Sequence, residues 1–143
     1  MSTDETRVVV LQMLQEAGAT GDLAAAIRSH ASPHFVIHLA NGESGGVDFA
    51  ASAAREMYEA FPDVALTLEG LVSEGDRSMI QFTMSGTHTG DLRGFAPTGK
   101  SVSIPIALGF RVEDSRLAEV WLYANLFAPL IATYAESHSD EAV

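Results

Sequence analysis

From Val102 to Val112 the chain alternates without a break: Val102, Ile104, Ile106, Leu108, Phe110 and Val112 are apolar, with Ser103, Pro105, Ala107, Gly109 and Arg111 between them. Successive strand side chains point to opposite faces, so a period of two over eleven residues predicts a strand with one dry face. A dry face must be covered, so this strand needs both sheet partners and a second layer. The preceding segments supply the partners. Ile80, Phe82 and Met84 alternate with Gln81, Thr83 and Ser85, and Val64, Leu66 and Leu68 alternate with polar or small residues. Ser73–Arg77 and Glu113–Arg116 read as hairpin turns. The last strand, 117–127, is apolar on both faces, which predicts cover on both sides. Pro105 has no N–H to give a ladder, so an edge position or a bulge is expected there.

The first half of the chain has the helical period instead. Residues 2–18 place Val10, Met13, Leu14 and Ala17 on one face behind a Ser2/Glu5 capping box. Asp22 is placed to cap a second helix with the face Leu23, Ala26, Ile27 and His30, which Pro33 is expected to stop. Residues 35–39 read as a short strand, Asn41–Gly46 as a loop, and 48–61 as a third helix. Helices followed by hairpin-linked strands predict an α+β fold in a single domain, 1–143: three N-terminal helices packed on a curved, mainly antiparallel sheet. A twisted sheet crossed by helices leaves a cavity, the default ligand site.

Charge and composition remove several classes. Eight Lys plus Arg against nineteen Asp plus Glu give a net charge of -11. Binding a nucleic-acid backbone or an anionic membrane needs clustered cations, and the single lysine is Lys100. Without cysteine, disulfides, thiolate metal sites and thiol catalysis are excluded. The polar, acidic start does not read as a signal peptide, and no apolar run is long enough to span a membrane, so a cytoplasmic protein is expected. His30, His34 and His38 have spacing that mimics a metal-binding helix face, but Pro33 breaks that helix, and no metal site is expected. The loop 86–100 lacks the P-loop pattern, G-x-S-x-G is absent, and no nicotinamide or flavin fingerprint occurs, so no cofactor is expected.

Several strings carry a resemblance. Phe61-Pro62-Asp63 precedes the first long strand, and Glu74-Gly75-Asp76 forms its hairpin. Gly86-Thr87-His88-Thr89-Gly90 and Gly94-Phe95-Ala96-Pro97-Thr98-Gly99-Lys100 follow; Gly21-Asp22-Leu23 and Val36-Ile37-His38 lie upstream. Together they resemble the SnoaL-like polyketide cyclase family of the nuclear-transport-factor-2-like superfamily. The resemblance implies an α+β conical barrel, usually dimeric, with a hydrophobic pocket for a small organic ligand. It also implies a catalytic Asp on the final strand, in a segment resembling E-x-W-D-x-x-D, with a His on the strand before it. This chain departs there: Leu122 stands at the Asp position, Asn125 replaces the second acid, and Leu108 stands where the His would be. Neither Leu nor Asn transfers a proton at neutral pH.

The remaining proton-transfer candidates are His38, His88 and Tyr123. His38 ends a strand expected to point into the cavity, and His88 continues the inward parity of Ile80, Phe82 and Met84. Trp121, Tyr123 and Asn125 share a face with Glu119 and are candidates for holding a planar ligand. Leu108, Leu122, Phe82, Met84, Phe110 and Tyr58 are expected around the pocket, with Arg93 in an entrance loop. The expected function is a cofactor-independent cyclase or isomerase acting on a small hydrophobic, oxygenated, polyketide-like metabolite. Two alternatives stand beside it: a non-catalytic metabolite-binding or accessory protein, and a cofactor-free hydrolase of the epoxide-hydrolase type, which would need an acid–Arg set such as Glu119 with Arg111 around a water. A homodimer is expected from the last strand.

Overall fold

The computed structural model describes residues 1–124. Three helices, α1 (Thr3–Thr20), α2 (Leu23–His30) and α3 (Val47–Ala60), accompany six strands: β1 (Ala31–His38), β2 (Ser44–Gly45), β3 (Ala65–Glu74), β4 (Arg77–Thr87), β5 (Ser101–Glu113) and β6 (Arg116–Tyr123). The strands form one sheet in the order β2-β1-β6-β5-β4-β3. Only β1 and β6 run parallel; every other pair is antiparallel. The sheet is curved by bulges and does not close into a barrel.

Local chemistry sets the helix ends. Ser2 Oγ accepts the Glu5 N–H at 3.1 Å, and Asp22 Oδ1 accepts the Ala25 N–H at 2.9 Å. α1 runs past the 2–18 span, through Gly18, and ends at Gly21, whose φ of 69° is a conformation open to glycine. α2 ends at His30, three residues before the expected stop. Pro33 instead lies inside β1, in the gap between Ala31 and Val36 where the register against β6 shifts. No ladder bond is lost to the missing N–H there. Pro105 sits in β5, paired to β4 opposite Thr83, and among the described residues the β5–β6 pairs end at Ala107–Tyr123. The part of the expected last strand beyond Ala124, including Asn125, lies outside the described residues.

The alternation in β5 is honoured. Val102, Ile104, Ile106, Phe110 and Val112 are buried: Phe110 and Val112 pack with Val9, Val10, Met13 and Ala17 of α1, and Val102, Ile104 and Ile106 pack with Ala60, Phe61 and Leu92. Burying a side chain of this kind contributes about 1.5–3 kcal/mol. The opposite face of the sheet has no helix packed on it among the described residues.

The loop from His88 to Lys100 is fastened at one end to α3. The Thr89 and Gly90 N–H groups both donate to the Ala60 carbonyl, and a Cβ at Gly90 would overlap the Glu59 carbonyl oxygen. Just before it, Asp63 accepts from the Thr87 N–H at 2.7 Å and from the Thr87 hydroxyl at 2.8 Å. Those bonds hold the Asp63 carboxyl below its ordinary range.

Candidate functional site

Between the helices and the inner face of the sheet lies a cavity of about 420 Å³. Its walls come from all three helices and from β1, β3, β4, β5 and β6, and they are almost wholly aliphatic or aromatic. Leu108 and Leu122 are cross-strand partners and both line it. Thus the two positions that would hold proton-transferring groups do face the chamber, and they carry hydrocarbon.

Polar side chains enter only at the mouth. Among the described lining residues these are Asn41, Glu56 and Arg93. Glu56 lies on α3 at the border of the stripe Ala50, Ala53, Ala54 and Met57; Arg93 lies on the 88–100 loop; Asn41 follows β1. Arg93 Nε donates to Glu56 Oε2 at 2.8 Å, and Nη1 donates to Glu43 Oε1 at 3.4 Å. Asn41 Nδ2 donates to the same Glu43 oxygen at 2.7 Å. The Glu56 hydrogen bond, with both carboxylates nearby, raises the Arg93 pKa further above its ordinary value. Arg93 has a φ of 48°, a region few residues other than glycine adopt, and Gly94 follows at 84°. Paired Leu92–Phe95 backbone bonds and Asp91 Oδ2 accepting the Gly94 N–H hold this tip.

The other expected site residues fall elsewhere. Phe82 and Arg93 line the cavity with Leu108 and Leu122. Met84 and Phe110 are buried in the core beside it and do not line it. Tyr58 is turned from the chamber, where burial and the nearby Asp22 charge raise its pKa. His38 departs from the inward direction expected of it: strand parity sends Phe35 and Ile37 into the chamber and His38 to the outer face. There His38 Nε2 meets Glu119 Oε2 at 2.6 Å, Arg111 Nε donates to Glu119 Oε1 at 3.2 Å, and the imidazole stacks on Trp121. The His38 bond, then the Arg111 bond, lower the Glu119 pKa. Trp121 carries Arg77 over its ring at 5.0 Å, and Tyr123 lies beyond it, 53% exposed. Trp121 and Tyr123 therefore share the outer face with Glu119, as their spacing predicts, and neither lines the cavity. The Glu119–Arg111 pair needed for a hydrolase forms, but outside the chamber.

His88 is wholly buried yet also does not line the cavity. Its Nδ1 accepts the Thr98 N–H at 3.2 Å, and its Nε2 has no hydrogen-bond partner among the described residues. The ring lies between Phe61 and Phe95, and its backbone bonds to Gly99 and Lys100 close the loop. His30 pairs with Glu16, so His30 and His38 are engaged with different partners on different elements. No three His, Asp or Glu side chains converge as a metal site among the described residues. No helix among these residues is long and apolar enough to cross a membrane.

An open sheet capped on one face by three helices around a hydrophobic chamber is the architecture of the nuclear-transport-factor-2-like proteins, and the solved structures agree. The sequence profile of the SnoaL-like polyketide cyclase family matches residues 8–132, and the chain belongs to that family. AclR of Streptomyces galilaeus, proposed to be a hydroxylase, is 27% identical with a TM-score of 0.79, over 94% of this chain and 83% of that one. IdmH of Streptomyces antibioticus, proposed to be a polyketide cyclase, is 25% identical with a TM-score of 0.72, over 91% and 98%. A SnoaL-like protein of Jannaschia sp. CCS1 is 24% identical with a TM-score of 0.82, over 93% and 94%, and shares the fold. No protein of curated function matches the sequence.

Sequence reasoning missed Asn41, Glu43 and Glu56. A signal for Glu56 existed: it is a carboxylate flanking the apolar stripe of α3, next to Met57. Nothing local marked the approach of residues 37 and 50 positions away to Arg93.

Proposed function

We propose that this chain is a cofactor-independent cyclase or isomerase of secondary metabolism, whose substrate is a hydrophobic, oxygenated, polyketide-like intermediate. The observation that carries the reading is the chamber of about 420 Å³ with hydrocarbon walls and polar groups at one end. That volume falls within the range of small-molecule sites. With Leu108 and Leu122 on its wall, the chamber acts mainly by folding a reactive chain into a productive shape. Titration with a fluorescent hydroxylated anthrone tests it. Wild type binds, and Leu122→Trp, which fills the chamber, weakens binding at least about tenfold without lowering Tm. Equal binding by both sinks the reading.

The same pair of leucines favours a second reading, a metabolite-binding accessory protein. Binding without turnover of a pathway intermediate selects it. The outer face supports a homodimer as a further part of the proposal. Val72, Met79 and Tyr123 are exposed there at 72%, 42% and 53%, beside Trp121, and monomers seldom leave such a patch uncovered. Sedimentation giving a single 15.2 kDa species at micromolar concentration counts against the dimer.

A further inference from the structure

We propose that Glu56 and Arg93 form a proton-accepting and oxyanion-holding pair at the mouth of the chamber, and that the ligand is a neutral, enolisable carbonyl compound whose carbonyl end sits at this pair. The inference rests on the chamber reading above and gives it a substrate class and a site.

Glu56 is the only carboxylate that lines the cavity among the described residues. One of its oxygens, Oε2, takes the Arg93 Nε–H; Oε1 has no hydrogen-bond partner among those residues. Arg93 uses Nε and Nη1 on Glu56 and Glu43, which leaves Nη2 with donors to give. Two side chains joined by a 2.8 Å bond at the chamber's mouth thus each keep one group, a carboxylate oxygen and a guanidinium nitrogen, without a hydrogen-bond partner among the described residues. The fixed loop tip around Arg93 holds the guanidinium there.

Charge selects the ligand. Glu43 and Glu56 outnumber Arg93 two to one, so the cluster is net negative and disfavours a ligand that arrives as an anion. A neutral ketone meets no such repulsion. Glu56 Oε1 then takes a proton from the carbon beside the carbonyl. The C–H electron pair becomes the C=C bond of an enolate, and the carbonyl pair moves to oxygen, beside Arg93 Nη2. Charge thus passes from the carboxylate to an oxygen that the guanidinium stabilises. The proton returns from Glu56 to carbon or oxygen when the enolate is consumed, so no oxidant or reductant is required.

Exchange of the α-protons of 2-tetralone in D2O, followed by NMR with the full chain, tests the pair. Wild type accelerates exchange over buffer. Glu56→Gln loses at least about tenfold of that acceleration, the lower side of what a positioned base supplies, and Glu56→Asp recovers part of it. Arg93→Met also loses about tenfold. Binding of 2-tetralone, read by saturation transfer, changes less than about threefold in all three, which a strap that merely closed the loop would not reconcile with lost exchange. 2-Naphthoate binds at least about tenfold more weakly than 2-tetralone. Wild-type exchange in Glu56→Gln with the ketone bound, or buffer-rate exchange in wild type with the ketone bound, overturns the pair and leaves the chamber reading standing. Tighter binding of the naphthoate overturns the substrate class. No binding of either probe to wild type overturns the pair together with the chamber reading.

Discussion

The two faces of one sheet carry opposite chemistry. On β6, Val120 and Leu122 face the chamber, while Glu119, Trp121 and Tyr123 face outward. Across β1, β4 and β5 the same split holds: Ile37, Phe82 and Leu108 inside, His38, Arg77 and Arg111 outside. In a family whose resemblance places acid–base groups on the inner wall, this chain keeps its sheet-borne imidazole, carboxylate and guanidinium on the outer one. Polar groups reach the chamber only at its mouth among the described residues, where loop and helix bring Asn41, Glu56 and Arg93. A single strand parity thus decides whether a titratable group faces the chamber or the surface.

The contrast can be broken by substitution. The largest effect is expected on the inner face: Phe110→Ala removes a ring that is 2% exposed and should lower unfolding free energy by about 3–5 kcal/mol in urea titrations. The sharpest test uses adjacent residues. Leu122→Asn puts an amide on a hydrocarbon wall and should cost about 2 kcal/mol. A cost near zero would mean that water already fills the chamber.

The outer cluster is expected to register as pH dependence. The Glu119 pKa lies below its ordinary value of 4.5, chiefly through His38 and then Arg111. A carboxyl with a lowered folded pKa adds stability above its unfolded pKa and loses it as pH falls through the folded one. Wild type should therefore exceed Glu119→Gln at neutral pH by about 1 kcal/mol or less, the range for partly exposed ion pairs, with the gap closing below pH 4.5. A gap that widens on acidification would contradict the arrangement. The smallest effect belongs to Tyr123→Asn, within about 0.5 kcal/mol by the same urea titration at concentrations where the chain is monomeric.

Much of the fold was legible because it is written in periods. The alternation in β5, the capping residues Ser2 and Asp22, and the hairpin at Gly75 all turned into the elements they predicted. The misplacements have physical causes. Pro33 reads as a helix stop by its ring geometry, but a register gap in β1 absorbs a residue without an N–H. The family resemblance points the end of β1, and His38 with it, into the cavity, yet Ile37 holds the inward position and parity leaves His38 out. Part of the site was legible too: Arg93, Phe82, Leu108 and Leu122 do line the chamber.

The linear chain already specifies that helices cover a sheet with one dry face, that Leu108 stands on that face, and that thiol chemistry is excluded. Those are properties of local spacing and residue type, which a linear chain carries in full. The inward face of the last strand, with Leu122 in and Trp121 out, was open until the fold closed. Only the tertiary structure decided that Asn41, Glu43, Glu56 and Arg93 meet at one mouth and that His38 and Glu119 meet behind the sheet. Such meetings depend on how loops and helix ends converge across dozens of residues, and side-chain chemistry fixes no distance until the backbone has closed it.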